Sequence, residues 1–109
     1  MAKRRPKAPA PVPIPPPPPP PLLPKATGRF KRDVKRIESR GEDMEKFKAV
    51  IVALCSRETL PESYRDHALK GEWTGCRDCH VAHDWVIIYE RDDTTLTLHR
   101  TGTHADLFE

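Results

Sequence analysis

The side chains able to do chemistry crowd into the last 43 positions of this 109-residue chain. His67, Arg77, Asp78, His80, Asp84, Arg100 and His104 all lie there, each near an expected strand end or loop. Histidine titrates near neutrality, so one imidazole can accept a proton and another can donate one. Arginine brings a fixed planar charge suited to phosphate. Those are the parts needed to cleave RNA without a metal. A base takes the 2′-hydroxyl proton, an acid protonates the leaving 5′-oxygen, and a cation offsets charge on phosphorus. Trp85 or Phe108 can stack a base. A lone histidine is more often an ordinary surface residue than a catalyst, so the grouping carries this reading.

A second pattern competes for the same stretch. Cys76-Arg77-Asp78-Cys79-His80 is literally C-x-x-C-H, the haem-attachment spacing. In a strand, Cys76 and Cys79 differ by three positions and point to opposite faces, which haem attachment does not allow. A signal sequence for export is also missing. Cys76, Cys79 and His83 have zinc-like spacing, but a second C-x-x-C or H-x₃-H pair is lacking and the knuckle geometry is wrong. The cysteines are therefore read as sheet residues, with no haem, metal or other cofactor expected. Cys55 is read as a small packing residue.

Positioning the histidines requires a scaffold, and the hydrophobic period supplies one. Phe30, Val34 and Ile37 recur at i, i+4, i+7, predicting a helix over residues 28 to 40 with Thr27 as N-cap and Gly41 just past its end. Its outer face carries Arg29, Lys31, Arg32, Lys35, Arg36 and Arg40 against only Asp33 and Glu38. An excess of one sign is costly without a polyanion or an acidic protein partner. Met44, Phe47, Val50, Ile51 and Leu54 predict a second helix over 43 to 56, capped by Asp43. The short link makes the two an antiparallel helical hairpin. Residues 59 to 67 are read as a loop broken by Pro61.

Strands are expected at 76 to 81, 84 to 91 and 94 to 100, with turns at Ala82-His83 and Asp92-Asp93. Trp85 to Tyr89 is apolar at every position, as in a central strand covered on both sides. His104 to Phe108 fits a last helical turn. The fold class is thus α+β: an N-terminal helical hairpin on one face of a small antiparallel sheet, here a three-stranded meander, with a short C-terminal helical turn.

Composition divides the chain in two. Twelve of its 13 prolines fall between residues 6 and 24, seven of them consecutive, so residues 1 to 24 are read as a disordered, basic, proline-rich arm in polyproline II conformation. A PxxP ligand is the sharper alternative, which composition alone does not favour. Residues 25 to 109 are the folded domain. The formal charge of +3 hides an asymmetry: five of the 19 Lys and Arg residues and none of the 16 acids precede residue 26, so the rest is near −2. No apolar run approaches a membrane span. With an odd number of cysteines and no signal peptide, the expected setting is the cytoplasm with reduced thiols.

Asp66-His67-Ala-Leu-Lys-Gly-Glu-Trp73-Thr-Gly-Cys76-Arg77-Asp78-Cys79-His80-Val-Ala-His-Asp84-Trp85-Val-Ile-Ile-Tyr89 resembles D-H-x-L-x-G-x-W-x-G-x-R-D-x-H-V-x-x-D-W-x-x-I-Y, the pattern of the YafQ branch of the RelE/ParE toxin superfamily. Arg100-Thr-Gly-Thr-His104-Ala-Asp-Leu-Phe108 is similar to that branch's R-T-G-T-H-x-x-L-F. The resemblance covers about residues 29 to 109. It implies a type II toxin that cleaves mRNA in the ribosomal A site and is neutralised by a cognate antitoxin. It places His67, His80, Asp84, Arg100, His104 and Phe108 in the catalytic site. His104 is then the general acid, Asp84 or His80 the base or its orienter, and Arg100 the phosphate cation. Phe108 and Trp85 shape the nucleotide pocket. Arg29, Lys31, Arg32, Lys35 and Arg36 would touch RNA or an acidic antitoxin segment. The alternative is a non-catalytic ParE-like toxin that binds a protein such as gyrase. One departure stands out: the family's first β-strand is replaced by the proline arm. Only Leu22 to Ala26 are left to form it and Pro24 confines it to an edge, which would leave the sheet one strand short.

Overall fold

The computed structural model describes residues 12–108. The Lys3-Arg4-Arg5 end of the expected arm lies outside them. Val12 to Pro21 has no regular secondary structure and is exposed. Arg57 Nε then donates to the Pro20 carbonyl at 3.1 Å, and the Leu22 amide donates to Cys55 O at 2.8 Å. Leu22 is buried, so the chain joins the fold there.

The last residues of the expected proline arm form a real strand. β1 (Leu23–Ala26) pairs in parallel with β5 (Thr95–Gly102) at the sheet edge. The expectation of a sheet one strand short is therefore corrected, and the reason is geometric. The amides of Leu23 and Thr27 donate to Thr94 and Leu98, at 2.9 and 3.1 Å. Peptide direction alternates along a strand, so the position of Pro24 faces away from β5, where a missing N–H costs nothing. At the opposite edge, β2 (His67–Ala68) pairs antiparallel with β3 (Arg77–Ala82). The region read as loop thus ends in a strand carrying His67. With β4 (Trp85–Arg91) the sheet has five strands in the order β1-β5-β4-β3-β2. It is mixed, not purely antiparallel as expected.

Two helices cover one face. α1 (Gly28–Ser39) is capped by Thr27 Oγ1, which accepts from the Phe30 amide at 3.1 Å and donates to His99 O at 2.9 Å. α2 (Met44–Cys55) is capped by Asp43, whose Oδ1 takes the amides of Glu45 and Lys46. Both caps match the sequence reading. Phe30, Ile37, Phe47, Val50 and Leu54 from the helices close on Val81, Ile87, Tyr89, Leu96 and Leu98 of the sheet. Phe47 stacks between Phe30 and Trp85, at centroid distances of 5.9 and 5.2 Å. Burying apolar side chains of this size contributes about 1.5–3 kcal/mol each.

The other face holds a smaller cluster of Cys76, Val86, Ile88 and Leu107. Leu107 comes from α3 (His104–Phe108), which occupies the place of the expected last turn. Cys76 and Cys79 fall into different clusters. They point to opposite faces, as strand alternation requires. Burial pushes the Cys79 thiol up to about 12, leaving it an inert core residue.

Candidate active site

β3 shifts register against β4 between His80 and Ala82, and the turn that follows is His83-Asp84 rather than Ala82-His83. Strand alternation from Cys79 puts His80 on the face opposite the helices, and Asp84 lies at the exposed end of the hairpin. α3 begins beside it. The His104 amide donates to Asp84 Oδ1 at 3.1 Å, and His104 Nδ1 meets the same oxygen at 2.6 Å. That bond to His104 holds the Asp84 carboxyl below the usual carboxylate range. An ionised carboxylate only accepts, so Nδ1 carries the hydrogen and Nε2 is the ring nitrogen left for chemistry.

His80 and His104 have ring centroids 5.3 Å apart, and Phe108 lies 5.9 Å beyond His104. Phe108 is 43 % exposed, unusual for a large apolar side chain. Burial holds the His80 imidazole below its ordinary value, against the opposing pull of Asp78. His67 approaches from β2. Its Nδ1 lies 2.7 Å from the Arg65 carbonyl and 3.1 Å from Asp78 Oδ1. A carbonyl only accepts, so the Nδ1 hydrogen goes to Arg65. Asp78 Oδ1 is left buried with no hydrogen-bond partner. Burial raises the Asp78 carboxyl, against the attraction of His67, His80 and His104.

His67, His80, Asp84 and His104 line an open pocket of about 820 Å³ together with Lys46 and Arg65, while Phe108 and Asp78 are not among its lining residues. Lys46 comes from α2 and Arg65 from a left-handed residue, φ 49°, after a short 3₁₀ turn. Neither cation was anticipated from sequence. Lys46 sits amid an ordinary charged helix face, and the φ of Arg65 has no sequence signature. Asp78 was in the polar set but not in the site. Its adjacency to His67 is a pairing across 11 residues.

Two expected site residues are elsewhere. Trp85 is 3 % exposed, stacked on Phe47, with Nε1 donating to Thr101 Oγ1 at 2.9 Å. It supports the site from the core and does not face the pocket. Arg100 is bound to the buried Asp33, Nε to Oδ2 at 2.7 Å and Nη2 to Oδ1 at 3.0 Å. Its guanidinium is bound to α1, and Arg100 is not among the residues that line the pocket. The basic α1 residues Arg29, Lys31, Arg32, Lys35 and Arg36 are exposed and none lines the pocket.

The family model for the bacterial toxin of type II toxin-antitoxin system, YafQ, matches residues 22–109. The chain belongs to the YafQ toxin family. It is 45% identical over 83 residues to the mRNA interferase toxin YafQ of Escherichia coli K12, covering 75% of this chain and 90% of that one. The crystal structure of the E. coli DinJ-YafQ toxin-antitoxin complex superposes with a TM-score of 0.76 at 42% identity, over 81% of this chain and 98% of that one. A metal-bound toxin from Helicobacter pylori matches with a TM-score of 0.74 at 31% identity, over 80% and 99%. As a member of the YafQ family, the chain is a type II toxin. Among its described residues, no helix is long and apolar enough to cross a membrane.

Proposed function

We propose that this YafQ-family toxin is an endoribonuclease that cleaves mRNA in the ribosomal A site by histidine acid–base chemistry, acting in the cytoplasm. The observation that carries the reading is the Asp84–His104 pair, closed at 2.6 Å, with the His80 ring beside that of His104, centroids 5.3 Å apart, at the same open pocket. Asp84 fixes the His104 ring through Nδ1, so Nε2 delivers its proton to the leaving 5′-oxygen. His80 is held neutral by burial and takes the 2′-hydroxyl proton. The 2′-oxygen attacks phosphorus, the P–O5′ bond breaks, and a 2′,3′-cyclic phosphate remains. Arg65 and Lys46 face the phosphate, and exposed Phe108 is placed to stack a base. His67 borders the same pocket and positions the scissile nucleotide. The 45% identity to an mRNA interferase supports the substrate class. A cognate antitoxin, as DinJ is for the relative, neutralises the toxin by covering this region or the basic α1 face.

The ParE-like alternative predicts that the histidines are dispensable. Purified His104→Ala and His80→Ala chains, added to a translating ribosome preparation, are each expected to lose about 10²–10⁴-fold in mRNA cleavage. Growth on induced expression should recover. Wild-type cleavage by His104→Ala at equal folded protein would overturn the acid assignment. Toxicity that persists without mRNA cleavage would favour the binding toxin.

A further inference from the structure

On the sheet face away from α1 and α2, Cys76, Glu90 and His99 come together from three separate segments. Their sulfur, carboxylate and imidazole donor atoms all lie within 4.8 Å of one another. Cys76 immediately precedes β3, Glu90 is on β4 and His99 on β5. The convergence depends on a register shift. Tyr89 pairs with Leu98 and Ile88 with Arg100, leaving His99 as the extra residue of a bulge. Bulges re-aim side chains in this way. His99 Nε2 already lies 3.3 Å from Glu90 Oε1, close to the roughly 3.3–3.8 Å that separates ligands on a tetrahedral zinc with 2.0–2.3 Å bonds.

The surroundings fit a built site better than a chance grouping. Cys76 is buried, 8 % exposed, while Glu90 is open to solvent. Trp73 covers one side, its ring edge-on to His99 at 6.0 Å. A set of one thiolate, one imidazole and one carboxylate suits a borderline-soft divalent cation, and the exposed side leaves a fourth position for water. None of the three residues borders the pocket. Cys76 lies about 13 Å along β3 from His80 at a strand rise of about 3.3 Å per residue.

We propose that Cys76, Glu90 and His99 bind a zinc-class divalent cation, pinning the Trp73 loop to β4 and β5 away from the reaction. Binding releases the Cys76 thiol proton to solvent and involves no redox change. The C-x-x-C-H pattern does not predict this set, because Cys79 and His80 take no part. Its other two ligands lie 14 and 23 residues beyond Cys76 and meet only through the sheet.

The test is cobalt titration of the full chain, stripped of metal and kept reduced with a phosphine. The expected result is one equivalent bound, a thiolate-to-cobalt charge-transfer band in the near ultraviolet, and displacement by zinc. The pocket histidines could take up cobalt too. The pocket lining contains no cysteine among the described residues, so binding there gives no such band. Cys76→Ser should abolish the band, and His99→Gln and Glu90→Gln should each weaken cobalt binding at least tenfold. Glu90 is exposed, so its variant will fold even if Cys76→Ser does not. Zinc should raise the Tm of the wild-type chain and not of Glu90→Gln. No charge-transfer band, or one whose affinity is unchanged in both Glu90→Gln and His99→Gln, overturns the proposal.

Discussion

Replacing Asp33 with Ala tests whether Arg100 is structural. The Asp33 carboxylate is 2 % exposed and accepts three hydrogen bonds, from Arg100 Nε at 2.7 Å, Arg100 Nη2 at 3.0 Å and the Thr101 amide at 3.2 Å. The Arg100 side chain is itself only 12 % exposed. Removing one partner of a buried ion pair strands the other, at a cost of about 3–5 kcal/mol. Taking the lower end, about 3 kcal/mol, the Tm falls by about 12–24 °C for a domain of this size. Arg100→Ala should cost less, because Arg36 Nη1, 3.8 Å from Asp33, can move in to replace part of the charge. The double variant should be less destabilised than the sum of the singles, with a coupling of about 2 kcal/mol. All chains are best made in a His104→Ala background, which removes toxicity during expression, and compared by urea and thermal denaturation. The reasoning fails if Arg100→Ala leaves Tm unchanged there yet abolishes cleavage in an otherwise wild-type chain. Arg100 would then act on phosphate, and its bond to Asp33 would be incidental.

Trp85→Phe should lower stability by about 1 kcal/mol, the worth of the Nε1–Thr101 hydrogen bond, while cleavage survives, measured by denaturation beside a cleavage assay. Loss of cleavage with stability intact would put Trp85 back at the nucleotide. His80 should make the chain less stable in mild acid. Its folded pKa lies below its unfolded value of about 6.5, so the unfolded state binds more protons and stability falls as pH drops below that value. His80→Gln should flatten the Tm-against-pH curve between about pH 5 and 7, and an unchanged slope would mean that burial does not hold His80 neutral.

Much of the scaffold was legible because its signals are local. The spacing of Phe47, Val50 and Leu54 gives α2, and Thr27 and Asp43 bond the amides expected of N-caps. The alternation that separated Cys76 from Cys79 also held. What was missed depends on partners distant in sequence. β1 is unreadable without β5, since only the direction of the Leu23 and Thr27 bonds shows that Pro24 sits harmlessly on the open side. The Arg100–Asp33 pair was unreadable because Asp33 lies 67 residues earlier inside a helix that reads as basic. Trp85 follows Asp84 in the motif, but strand alternation sends the two to different sides, one to solvent and one to the core. A motif records that a residue type is needed at a position. It does not record whether the need is chemical or mechanical.

The same distinction explains how α1 serves a site to which it contributes no side chain. His104 is the first residue of α3, a helix too short to hold itself in place. Thr103 caps it, its Oγ1 taking the Asp106 amide at 3.1 Å while Asp106 Oδ2 takes the Thr103 amide at 3.0 Å. Asp106 is in turn gripped by Arg40 of the α1 terminus at 2.7 and 3.2 Å, with Arg36 at 3.7 Å. That grip, chiefly the Arg40 hydrogen bond, holds the Asp106 carboxyl well below the usual carboxylate range. Gly102 makes the approach possible, because a Cβ there would stand 2.9 Å from the Asp106 side chain. The basic set on and just past α1 therefore splits by function. Arg36 and Arg40, although exposed, reach Asp106 and so tie α3, which carries His104, to the end of α1. Arg29, Lys31, Arg32 and Lys35 stay in solvent, and their uncompensated charge is the part of the helix left for a polyanion or an acidic partner.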